Sequence, residues 1–190
     1  MSVKLEGARK GGGTASASID RNVELYGPGD IIGIDPAQIN RVEPANCVTN
    51  FEPNYFAAIE FYDEDFPWRY TPAPPSGRRL LPWVSLVVLE ETEFKEATGG
   101  ASRPLDYAEV TADFADIFAD ASEGWAWAHA HFNSELSASV VETSGTAASQ
   151  AAQSAIQASP DSACSRLLCP RKLKPKTAYH AFLIPAFENG

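Results

Sequence analysis

Gly124-Trp125-Ala126-Trp127-Ala128-His129-Ala130-His131-Phe132 sets a ring at every second position and an alanine between each pair of rings. Side chains of a strand alternate between faces, so this stretch predicts a β-strand with Trp125, Trp127, His129 and His131 on one side and Ala126, Ala128 and Ala130 on the other. A stripe of rings backed by a flat surface of small residues suits close contact on both faces. Strand pairing of this kind points to a sheet-centred molecule.

Working outward, the residues preceding the stretch predict a helix near 112–120, capped by Thr111, with Phe114, Ile117 and Phe118 at i, i+3, i+4 spacing. Leu81 to Leu89 is apolar on both faces apart from Ser85, the pattern of a central strand. Tyr55 to Tyr62 reads as another strand, and 178–187 as a last one. Between 62 and 81, Phe66-Pro67-Trp68-Arg69-Tyr70-Thr71-Pro72 predicts an extended path fixed by prolines. Leu105 to Val110 reads as a short strand and Ser165 to Leu168 as a turn.

Nearer the start, Gly27-Pro28-Gly29-Asp30 predicts a tight turn between strands at 18–26 and 31–34, and Asp35-Pro36 an N-cap with proline at the first helical position. Residues 1–17 read as a flexible arm jointed at Gly11-Gly12-Gly13. Residues 133–160 collapse to Ala, Ser, Gln and Thr, consistent with a loop and a weak helix at about 146–158. The expected architecture is α+β, mainly β. It comprises one β-rich domain over 18–190, one or two short helices, an extended N-terminal arm and a low-complexity insertion.

The 190 residues suffice for one core, and 14 prolines with 13 glycines favour turns over long helices. The longest aliphatic run, Leu86 to Leu89, is far below the ~20 residues of a membrane helix. No apolar block follows Lys4, Arg9 and Lys10, so folding in a cytoplasm is expected. Cys47, Cys164 and Cys169 read as free thiols. Residues 51–123 hold 15 acids and 5 bases, which is the whole net charge of −10. Arg166, Arg171, Lys172, Lys174 and Lys176 form a basic patch that could attract the acidic body of another copy or a complementary neighbour, or simply be solvated. Five bases on so acidic a chain argue against nucleic acid.

No nucleophile elbow, phosphate loop, dinucleotide glycine pattern or zinc-protease helix motif occurs. His129 and His131 with Cys164 and Cys169 would supply a tetrahedral zinc set if the cysteine loop folds back; core or interface histidines are the simpler reading. Asp63-Glu64-Asp65 lacks the alternating ligands of a calcium loop, and Glu90, Glu91 and Glu93 alone do not specify glycosidic chemistry. Trp68, Trp83, Trp125 and Trp127 suit either a sugar-stacking platform or aromatic packing.

Five segments carry a family likeness. They are Gly27 to Asp35; Phe51 to Phe56 with Ile59-Glu60-Phe61; Asp65 to Ala73 with Leu81-Pro82-Trp83; Trp125 to His129; and Ser165 to Leu173 followed by Tyr179 to Glu188. Together they resemble uncharacterised proteins encoded beside phage-tail-like contractile injection systems and associated with the baseplate region. The likeness runs from about residue 22 and leaves out the arm and the Ala/Ser/Gln segment. It implies relatives that continue past the final strand, hence a chain that is a fragment, a split subunit or the ordered part of a larger product. It implies an assembly context and no catalytic residues or cofactor.

The sequence therefore predicts a structural, non-enzymatic subunit of such a particle. It would be assembled in the cytoplasm through other protein subunits, in repeated or homo-oligomeric copies. The expected contacts are Trp68, Arg69, Tyr70, Trp83, Trp125, Trp127, His129, Arg171 and Lys172. Two other functions fit the same residues: a carbohydrate or cell-surface binding module, and a zinc protein built on the His/Cys set.

Overall fold

The computed structural model describes residues 2–22, 27–77, 79–100, 106–118, 120–133 and 145–187. It is α+β and mainly β, with strands β1 (Ser2–Ala8), β2 (Thr14–Asp20), β3 (Ile39–Glu43), β4 (Ala57–Phe61), β5 (Val84–Glu90), β6 (Phe94–Ala97), β7 (Tyr107–Val110), β8 (Ala128–Phe132), β9 (Ala163–Cys169) and β10 (Tyr179–Pro185). Among the described residues two α-helices accompany them, the single turn α1 (Phe114–Ile117) and α2 (Gly145–Ala158). An antiparallel sheet in the order β3-β4-β9-β8 is joined by three two-stranded ribbons, β1-β2, β10-β5 and β6-β7.

β4 and β9 form the middle of the large sheet. The alternation in β9 buries Ala163, Ser165, Leu167 and Cys169 and leaves Cys164, Arg166 and Leu168 on the other face. Leu167 lies between Ile59 of β4 and Ala128 of β8, so the apolar rows of three strands coincide. Ser165 is fully buried, and its hydroxyl donates to the Asp63 carbonyl at 2.6 Å, tying β9 to the acidic turn after β4.

Two buried clusters meet at β5. Val84, Leu86 and Val88 join the large sheet's core; Val87 and Leu89 join Phe94 and Ile117 in a second cluster. Burial on both faces thus comes from two cores, and the apolar run that the sequence placed mid-sheet is one arm of a two-stranded ribbon. Trp83, just before β5, anchors the first core. Its indole donates to the Phe66 carbonyl at 2.7 Å, while Phe61 and Phe66 stack at 4.3 Å beside it.

Several expectations need correction. Residues 124–132 are not one strand: the Asp120 side chain accepts from Ser122 N at 2.8 Å, and the capped 3-10 helix Ala121–Ala126 uses up the first half of the stretch. Residues 165–168 lie inside β9, and 31–34 form no strand. Phe66–Trp68 is a 3-10 turn that accommodates Pro67 early in its single turn, where the missing N–H matters least. The glycine triplet is a hairpin turn between β1 and β2, where Gly12 and Gly13 take φ of 87° and 94°. The Asp35 cap is as expected, accepting from Ala37 N at 2.9 Å. The expected strands at 55–62, 81–89 and 178–187 and the helix at 146–158 correspond to β4, β5, β10 and α2. Expected features at 23–26, at Leu105, at the end of the 112–120 helix and over 134–144 fall wholly or partly outside the described residues.

Candidate functional site

The nine sequence-selected contact residues do not share one surface. Trp83 is 2 % exposed and belongs to the core, so it is withdrawn as a contact residue. Trp68 is half-buried, its Nε1 donating to the Leu80 carbonyl at 3.2 Å. Trp125 sits in the 3-10 helix with the Arg79 guanidinium 3.8 Å from its ring centre, and Trp127 meets Phe56 edge to face at 5.8 Å. The Trp127 Nε1 is buried without a hydrogen-bond partner among the described residues. With one indole interior and another covered by a cation, the four do not form a sugar-stacking platform. Arg69 and Tyr70 line a cleft of about 460 Å³ with Ile31, Ile34 and Gln38. Arg69 is held there by Asp63 at 2.7 Å and Asp65 at 2.6 Å, and both bonds raise its pKa.

The basic patch is largely engaged within the molecule. Arg171 is only 10 % exposed at its side chain; its guanidinium donates to both Glu93 oxygens at 2.6 Å, to Glu90 at 3.3 Å and to the Val88 carbonyl at 2.9 Å. The hydrogen bonds from Arg171 hold the Glu93 carboxyl below its ordinary range. Lys174 pairs with Glu90 at 2.6 Å, and Arg166 pairs with Glu60. The acids after β5 are thus the partners of the basic segment. Arg171 is withdrawn as an assembly contact, whereas Lys172 stays exposed.

The outward face of the large sheet carries a polar row across all four strands, Arg41, Glu60, Arg166 and His129 in register. His131 lies opposite Cys164 in the next row. Burial pushes the Cys164 thiol up and the His131 pKa down, with the Arg166 charge adding to the fall at His131. A protonated thiol beside a neutral imidazole is a resting pair, not an activated nucleophile. The zinc set is not assembled: Cys164 and Cys169 are five apart on one strand, so they point to opposite faces, and Cys169 lies in the core. Among the described residues no group of three or more His, Cys, Asp or Glu is arranged to hold a metal ion.

What the sequence reading missed is a pair of uncovered apolar surfaces. In the β1-β2 register, Val3 faces Ile19, Leu5 faces Ala17 and Gly7 faces Ala15, so every one of these shares a single face. Lys4, Glu6, Thr14, Ser16, Ser18 and Asp20 occupy the other. Val3, Leu5 and Ile19 are 44, 60 and 63 % exposed and belong to neither core cluster. The second surface is a groove of about 1060 Å³ between β5, β10, β9 and the α1 wall. Of its lining side chains only those of Ser85 and Asp120 carry an oxygen. Small-molecule sites of about 300–1,000 Å³ usually add several convergent polar groups, which this groove lacks.

Comparison with protein-family models, curated proteins and solved structures returned no match. No helix among the described residues is long and apolar enough to cross a membrane.

Proposed function

We propose that this chain is an architectural subunit of a phage-tail-like contractile injection particle. It would sit in or beside the baseplate and act through protein contacts, not catalysis. The carrying observation is the apolar surface left open at once on the hairpin and in the groove. A lone two-stranded hairpin is marginal in water, and an exposed one-sided apolar face stabilises little until another surface covers it. The family likeness supplies the particle; the uncovered surfaces supply the mode of action. Assembly in the cytoplasm with other particle subunits belongs to this reading.

Sedimentation of the purified chain from about 1 to 100 μM tests the mode of action, since interfaces of this kind associate at micromolar concentration. Concentration-dependent association is expected, and a monodisperse monomer across the range would overturn the reading. Sheath and tube genes beside the coding gene are the expected genomic context, and their absence would overturn the assignment to an injection particle.

A further inference from the structure

We infer that the β1-β2 hairpin of one copy seats its apolar face in the groove of a second copy of this chain. The inference rests on the assembly reading and names its partner.

Three observations select that occupant. The first is chemical match: Val3, Leu5 and Ile19 present one apolar face, and the groove offers Leu81, Leu168, Ile184 and Phe187 with only two oxygen-bearing side chains in its lining. Burying these side chains removes the apolar area that both surfaces expose. The second is length. Val84–Val87 of β5 and Ile184–Phe187 at the end of β10 line the groove, and the seven-residue strands β1 and β2 are long enough to span it. The third is charge. The hairpin turn carries exposed Arg9 and Lys10, while the sequence segment 115–127, from which the opposite wall is drawn, contains Asp116, Asp120 and Glu123 and no base. Asp120 stands at the groove itself. A basic tip meeting an acidic wall orients the hairpin and steers its approach.

The partner is a second copy because, among the described residues of one chain, both surfaces are open together. The hairpin's apolar side chains join neither core cluster, and no other named element packs substantially on β1 or β2. A further copy supplies each surface in equal number.

Disulfide trapping in the full chain tests this, with Cys47 replaced by serine. A chain carrying Leu5→Cys is mixed with a chain carrying Ile184→Cys under mild oxidation. The expected result is a covalent heterodimer well in excess of either homodimer. In parallel, Leu5→Glu is expected to weaken self-association about 10–100-fold, the loss of one buried leucine, whereas Ser16→Glu on the polar face leaves it unchanged. Folding of each variant is checked by its melting curve. An intramolecular disulfide in the double variant Leu5→Cys/Ile184→Cys, with no cross-link between chains, overturns the exchange in favour of the hairpin covering its own groove. Association that persists in Leu5→Glu without cross-linking overturns the hairpin's role and leaves the assembly reading standing. A chain that stays monomeric at every concentration overturns both.

Discussion

Arg171 lies between β9 and β10 and ties together parts of the chain about eighty residues apart. Its guanidinium binds Glu93, Glu90 and the Val88 carbonyl, and it lies over the Tyr179 ring at 5.5 Å. Removing Arg171 leaves the part-buried Glu93 carboxylate without its main partner, so Arg171→Ala should lower stability by about 1–3 kcal/mol. Exposed Lys172→Ala should stay within about 0.5 kcal/mol. Denaturant titration of both variants checks the contrast. Glu93 and His131 shape the acid response. The Glu93 and His131 pKa values are both lowered by folding, so the unfolded chain binds protons more readily than the folded one. The stability each contributes is complete above its unfolded pKa, about 4.3 and 6.5, and is lost as pH falls below it. The melting temperature should therefore drop from pH 7.5 to 5.5, and the drop should be shallower in His131→Asn. Five nearby bases were plain in the sequence, yet what they pair with was not, because Glu60, Glu90 and Glu93 approach only through the sheet.

At the scale of the element, β9 shows how alternation decides chemistry. Cys169 is buried in the core, Cys164 is half-buried on the outward face, and Cys47 is exposed. Thiol labelling at pH 8 should therefore modify Cys47 first, Cys164 slowly and Cys169 only on unfolding; simultaneous labelling of Cys164 and Cys169 would contradict the register. β4 and β10 were legible because their apolar runs are long and bounded by turn residues. β9 was hidden because Ser165 and Arg166 read as polar turn residues, and only the Asp63 carbonyl and Glu60 carboxylate make them strand residues. The hairpin had a signal that went unread. Val3-x-Leu5 and Ala15-x-Ala17-x-Ile19 alternate on either side of three glycines, a hairpin pattern that an arm of flexible linker would not show. The stretch at 124–132 failed for the opposite reason, since its alternation was clear but the Asp120 cap and the 3-10 turn intervened.

Over the whole molecule, two buried clusters hold the described residues together and two apolar surfaces lie open beside them. Trp83 unites the first core through its hydrogen bond to Phe66 and ring contacts with Phe66 and Tyr70. Trp83→Ala should cost about 3–5 kcal/mol, read as a lowered denaturant midpoint. The hairpin face, by contrast, contributes little to the lone chain. Substitutions there should alter association far more than melting temperature, and a Leu5→Glu variant that unfolds as easily as Trp83→Ala would argue against this division.

β5 faces one cluster with Val84, Leu86 and Val88 and the other with Val87 and Leu89. A strand shared like a party wall ties the fates of the rooms on either side, so neither cluster can melt while the other stays intact. Heating should yield one sharp calorimetric peak, and the slowest-exchanging amides of the molecule should map to the segment from Val84 to Leu89.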